Sequence, residues 1–429
     1  MFTLSSNIKT SSSRKDKAMV ALKENLNLIF YVGTSRFAAC LAEIGPERSR
    51  ILRFVQFPEA PGFQKGGVAE LDKALATVEE AVKSLELGED AFEIPTSVIL
   101  STPSLKTTRY SSSVYYSGYP RVITSREIRQ VVEQTRNVAP LPLQDWILQV
   151  VPESFWVNDL LGVVDPVGLE AQRLAVALQI FSVDYSLYRN LSRMFETFEF
   201  PLKGYYPKTF FLALGVLNRE EGEGEALVID LADEVTHLVL TREGKIERTK
   251  SLDFGGRFLT AKIAERWKIG TADAKRLKER FGTLEDLKSG EELIPLFGER
   301  KGGNQQIRRS EFHGAFLKFS EELFSKIQGE IAGLLEDSVR REPRFVLTGG
   351  GAKLEGAADF LGRLLAAPVR LGTPRQIEAP SELLLDPAWS APLGFIRWLS
   401  RDTQGVTAAK ENALGRVLSH AKEFLTAYF

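Results

Sequence analysis

The chain holds one cysteine and three histidines among its 429 residues. A single thiol, Cys40, excludes an intramolecular disulfide framework and fits a reducing cytoplasm. The cysteine and the histidines stand far apart, so no metal-ligand spacing exists and no metal site is assigned. An excess of charge of either sign is missing too. Lys+Arg 55 against Asp+Glu 56 gives a formal net charge of −1, which argues against a nucleic-acid partner. No apolar run reaches the roughly eighteen residues of a membrane-spanning helix. Ser11-Ser12-Ser13-Arg14-Lys15 has no apolar stretch behind it, so the start is not a secretory signal. Residues 1–25 read as a flexible polar arm, with Met19 an alternative start to Met1. Ser, His and Asp residues show no nucleophile-elbow or triad spacing, and no catalytic residue is assigned.

What is present is an ordinary globular balance, 44% hydrophobic and 26% charged. The length suffices for roughly two to four packed subdomains. Leu28–Val32 and Phe37–Ile44 read as strands joined by the turn Gly33-Thr34-Ser35-Arg36. Leu71–Leu85 carries helical spacing, and Thr96–Ser101 is a short apolar strand. Arg109–Tyr116, Trp146–Val151 and Leu174–Phe181 read as strands around a helix over Ser125–Val138, the pattern of an inserted subdomain. Helices are expected over Asp184–Phe198, Phe258–Trp267, Ala272–Phe281 and Phe312–Ser338, and a hairpin over Ala226–Leu231 and Val235–Thr241. Strands alternate with helices in two halves of similar design, which defines an α/β class.

The most informative stretch is Phe345-Val346-Leu347-Thr348-Gly349-Gly350-Gly351, a buried strand emptying into a glycine turn, with a helix from about Ala357. Three glycines let backbone N–H groups approach a ligand, and a helix N-terminus behind them favours an anion or a nucleotide. A tight turn without a ligand is the alternative reading.

With Ala366–Pro374 behind it, this run resembles the adenosine-side motif of the actin-like ATPase superfamily, whose bacterial members include the FtsA and PilM families. Further pieces resemble FtsA: Phe63-Gln64-Lys65-Gly66-Gly67-Val68, Leu148–Phe155, Asp165-Pro166-Val167-Gly168-Leu169 and Pro387–Gly394. The resemblance runs from about Leu28 to Trp398. It implies a two-lobed actin-like α/β fold with an FtsA-type insert and a C-terminal amphipathic helix. The division it implies is a first lobe over 26–104 with 181–222 and 385–399, an insert over 105–180, and a second lobe over 223–275 with 343–384. An outer subdomain over 276–342, a linker over 400–410 and a tail over 411–429 complete it.

The resemblance also implies ATP between the lobes, with magnesium alongside ATP. Its residues map to Gly33, Thr34, Asp230, Lys278, Gly349, Gly350 and Gly351. The sequence departs from that pattern. Tyr31 stands where the first hairpin carries an aspartate, and a phenol is a poor magnesium ligand. In the second hairpin Ala232, Asp233 and Glu234 replace three glycines, and His237 replaces the second acidic residue. Carboxylates near a triphosphate repel it. These departures describe a degraded site: no hydrolysis, and ATP binding weak or lost.

The tail repeats apolar residues at helical spacing: Leu414, Val417, Leu418, Ala421, Phe424, Leu425, Tyr428 and Phe429. It reads either as a helix docked on the domain or as one lying in a membrane interface. The resemblance implies the second, a tether to the inner face of the cell membrane. It also implies FtsZ, other division proteins and further copies of the chain as partners. Arg308, Arg309 and Lys318 are the candidates for the FtsZ contact. A PilM-like platform for a pilus or secretion complex is the alternative.

Overall fold

The computed structural model describes residues 25–402 apart from 46–47, 88–91, 288–290, 297–305, 337–342 and 376. The expected arm and the expected tail helix with its residues Leu414 to Phe429 lie outside the described residues.

Two five-stranded sheets follow one plan. In the first, Leu26–Val32, Phe37–Glu43 and Arg50–Phe57 form an antiparallel meander. Thr96–Leu100 and then Leu202–Pro207 add in parallel on the far side of Leu26–Val32. In the second, Glu225–Leu231, Thr236–Arg242 and Lys245–Leu252 form the meander, and Arg344–Thr348 and Val369–Leu371 add in parallel. Patterning explains this. Leu28–Val32 and Leu227–Leu231 are buried along their whole length, as central strands covered on both faces must be. Short turns close the antiparallel pairs, while the parallel strands return through long crossovers. The shared plan sets Tyr31 and Asp230 at equivalent places. Tyr31 pairs with Ala38 and Ile99, Asp230 with His237 and Thr348.

Two helices, Lys208–Val216 and Ser390–Asp402, cross between the sheets. The first was not legible as a helix in the sequence. It is buried all round, including Phe210, Phe211, Leu212 and Leu214, because its core is drawn from both lobes. The crossing is backbone to backbone. A Cβ on Gly215 would stand 1.9 Å from the Ser390 carbonyl oxygen, and one on Gly394 would stand 2.2 Å from that of Phe211.

The insert leaves the first lobe between Thr96–Leu100 and Leu202–Pro207. Its antiparallel sheet runs Leu160–Val163, Asp145–Val157, Arg173–Asp184, Lys106–Tyr115 in spatial order. The Ser125–Val138 helix packs Ile128, Val131 and Val132 into that sheet's core. Thr124 and Glu127 fix its start as a capping box. The strand expected to stop at Val151 runs on to Val157, carrying Pro152 opposite Leu178 beside a bulge in which Glu153 is the extra residue. In the second lobe, the helices Arg257–Trp267, Thr271–Phe281 and Arg309–Leu335 pack on one outer core.

Candidate functional site: the cleft between the sheets

The ends of the two sheets open on one cleft of about 400 Å³. Gly33, Thr34 and Arg36 wall it from the first hairpin, and Ala232 and Asp233 from the second. Lys275 and Lys278 reach it from the Thr271–Phe281 helix, and Gly350, Gly351 and Lys353 from the glycine turn. The residues expected at a nucleotide therefore converge. Asp230 and Gly349 sit directly behind the wall. Gly349 has φ 86°, and a Cβ there would stand 2.5 Å from Asp230 Oδ1. Only glycine meets both conditions.

The floor holds a residue that sequence reasoning missed. Lys208 Nζ lies 2.6 Å from Asp230 Oδ2, with the side chains 2% and 1% exposed. It also stands 5.5 Å from the centre of the Tyr31 ring. Burial pulls the Lys208 pKa down, but the Asp230 carboxylate, with the Tyr31 hydroxyl beside it, outweighs burial, and the net shift is upward. Lys208 is thus a cation. The available signal was a lone charge between Tyr205-Tyr206-Pro207 and Phe210-Phe211-Leu212. A lysine is almost never fully buried unless paired.

Asp233 and Glu234, expected to repel phosphate, are neutralised from within, which corrects the simple repulsion argument. Arg257 Nε meets Asp233 Oδ2 at 3.1 Å, and its Nη1 also binds Glu234 Oε1. Glu234 Oε2 accepts the Lys65 backbone N–H at 3.0 Å, and the Glu234 N–H donates to Thr34 Oγ1 at 3.4 Å. Glu234 therefore ties the second lobe to two turns of the first. Lys278 donates to the Gly256 carbonyl at 3.1 Å and lies 3.7 Å from Asp233 Oδ1. Burial holds its pKa below the usual lysine value despite Asp233. Lys353 and Arg36 share Asp386 at 2.8 and 3.7 Å.

His237 is fully buried and is not a phosphate-facing group. Its Nε2 meets Ser101 Oγ at 3.1 Å and its Nδ1 meets Ser251 Oγ at 2.9 Å, so it links the lobes beneath the cleft. Burial, then the charge of Lys208, pushes its pKa well below the usual histidine value. The ring is neutral, donating through one nitrogen and accepting through the other.

The resemblance in the sequence implies a magnesium nucleotide here, and the residues do not fit the metal. A divalent cation at Asp230 would lie against the Lys208 ammonium, and the equivalent place in the first sheet offers only the Tyr31 phenol. Among the described residues no group of three or more His, Cys, Asp or Glu side chains converges on a metal position.

The candidate partner residues do not form one patch. Arg308 ends the short strand Gln306–Arg308, and Arg309 opens the long helix with its guanidinium 5.3 Å from the Phe281 ring centre. Lys318 follows about two and a half turns later, which puts it on the opposite side of the helix.

Paired sheets of one topology, a cleft at their strand ends and a crossing helix pair define an actin-like two-lobed protein. Solved structures agree. The PilM component of a PilM–PilN type IV pilus biogenesis complex superposes with a TM-score of 0.62 at 17% identity, covering 87% of this chain and 98% of that one. MreB5 of Spiroplasma citri bound to AMPPNP gives 0.52 at 12% identity, over 87% and 96%. Two family models then specify the chain. One, described as cell division protein FtsA, matches residues 227–394. The other, the SHS2 domain inserted in FtsA, matches residues 104–182. Together they take in more than half of the sequence, and the chain belongs to the FtsA family. The cell division protein FtsA of Borreliella burgdorferi is 25% identical over 87% of this chain and 91% of its own length. That of Escherichia coli K12 is 23% identical over 86% and 88%.

Two measurements check the floor of the cleft. Lys208→Met leaves Asp230 as an uncompensated buried charge, so urea unfolding is expected to lose about 3–5 kcal/mol, while the double variant Lys208→Met/Asp230→Leu recovers most of it. A double variant as unstable as the single one contradicts an ion-pair role. His237 gives a pH effect of known sign. Its folded pKa lies below the unfolded value of about 6.5, so falling pH protonates the unfolded chain first and stability drops by up to about 1.4 kcal/mol per pH unit. Between about pH 7 and 5.5, His237→Gln is expected to show a flatter melting-temperature profile than the parent. Equal slopes would place the histidine elsewhere in the balance.

Proposed function

We propose that this chain tethers FtsZ filaments to the inner face of the cell membrane and scaffolds the division machinery without hydrolysing ATP. The observation that carries the reading is its FtsA membership, in which relatives named as cell division proteins align over most of both chains. Loss of hydrolysis follows from the cleft. Phosphoryl transfer depends on positioned charge and metal, and here Tyr31 and Lys208 stand where a metal and its carboxylates would act. ATP, if bound, serves as a structural ligand.

The membrane contact is assigned to segment 411–429, on its sequence pattern. Buried apolar area supplies the affinity, since Glu423 offsets part of the charge of Arg416 and Lys422. No described helix is long and apolar enough to cross a membrane. Arg308 and Arg309, adjacent at the start of the long helix, form the basic end offered to FtsZ, and Lys318 acts separately. Self-association in the actin-like manner completes the scaffold. A second reading, a cytoplasmic platform for a pilus or secretion complex, draws on the PilM likeness, which concerns the fold alone.

Co-sedimentation with liposomes separates the two. The full chain is expected to pellet with vesicles and to bring FtsZ down, and a chain truncated before Glu411 to lose both. A chain that stays in the supernatant and ignores FtsZ would favour the platform reading. No phosphate release above background is expected in either case.

A further inference from the structure

A divalent cation in the cleft would need the place beside Asp230, at the end of the second sheet's first strand. That place is filled by the chain itself. Lys208 Nζ reaches Asp230 Oδ2 at 2.6 Å from the first residue of the helix that crosses between the lobes. Asp230 Oδ1 is buried against Gly349 and has no hydrogen-bond partner among the described residues, so Lys208 is the cation that balances this carboxylate. The Tyr31 ring closes the other side.

The same substitution of internal for external charge continues outward. Where phosphate would meet the hairpin turns, the Glu234 carboxylate takes the Lys65 N–H and Arg257. Asp233 takes Arg257 and faces Lys278. Asp386 takes Lys353 and Arg36, and Glu59 lies 3.8 Å from Lys275. Of these pairs, Lys208–Asp230, Lys353–Asp386 and Lys275–Glu59 join one lobe to the other, and the Arg257 and Lys278 pairs balance charge within the second. A tethered ammonium differs from a bound metal in two ways. It cannot exchange with solvent, and its single charge is used up by Asp230.

We propose that the Lys208 ammonium is the resident cation of this cleft in place of a divalent metal, and that the chain's own ion pairs hold the two lobes together. The lobes then stay closed at any magnesium concentration. This inference stands apart from the division reading, since it concerns the cleft and not the tail or FtsZ.

Thermal unfolding of the purified full chain tests it, in EDTA, in magnesium chloride and in magnesium with ATP. The melting temperature is expected to move by less than about 1 °C among the three. A rise of more than about 3 °C with magnesium and ATP, reversed by EDTA, overturns the proposal. Lys208→Ala empties the place beside Asp230. This variant is expected to melt lower and to regain stability with magnesium. A folded Lys208→Ala that responds to magnesium no more than the parent also overturns it. Should that variant not fold, calorimetric titration of the intact chain with ADP decides. Equal isotherms in magnesium and in EDTA support the proposal, and binding seen only with magnesium overturns it.

Discussion

Lys208 and Asp230 bring opposite charges to 2.6 Å in the middle of the molecule and show neither to water. Such a pair costs several kcal/mol of desolvation per ion, and its attraction returns little more than that. Its consequence is geometric. Asp230 belongs to the central strand of the second sheet, and Lys208 to the helix that follows the last strand of the first. Neither charge can be left unpaired, so only arrangements of the two lobes that join them are available to the folded chain. The neutral His237, bonded to Ser101 on one lobe and Ser251 on the other, adds a second buried link beside the first.

The remaining architecture keeps that contact in register. The Lys208–Val216 and Ser390–Asp402 helices approach at Gly215 and Gly394 without side chains between them, and aromatic residues on both fill the space around the crossing. Phe211 and Phe395 stand edge to face at 4.9 Å, and Tyr206 lies 4.8 Å from Phe395. A shift of either helix would break this packing as well as the ion pair. The outer parts are freer. The insert has its own core, and the second lobe's long helix packs Phe312, Phe316 and Phe324 into the core it shares with that lobe's sheet.

Much of this was legible in the sequence because it depends on local pattern. The alternation of strands and helices, the two hairpins and the glycine turn after Thr348 all follow from apolar runs and glycine. The Tyr31 and Glu234 departures could be read from position within a hairpin. The Lys208–Val216 helix could not, since Phe210-Phe211-Leu212 offers no polar face from which a helical period could be counted. Lys208 itself gave only a lone charge in an apolar stretch, and its partner lies on a strand that no local rule connects to it. Arg257 was likewise invisible as the partner of Asp233 and Glu234 until the fold brought its helix under the hairpin. Spacing put Lys318 inside the expected Phe312–Ser338 helix and left Arg309 before it; the helix starts at Arg309, and its turn count shows that the two face apart.

In the proposed arrangement this family member holds its lobes together with its own charges. Small-angle X-ray scattering of the full chain in EDTA and in saturating magnesium with ATP measures this directly. Superimposable curves and one radius of gyration are expected. A compaction that appears only with the magnesium nucleotide would show that the lobes wait for a ligand, and would contradict that arrangement.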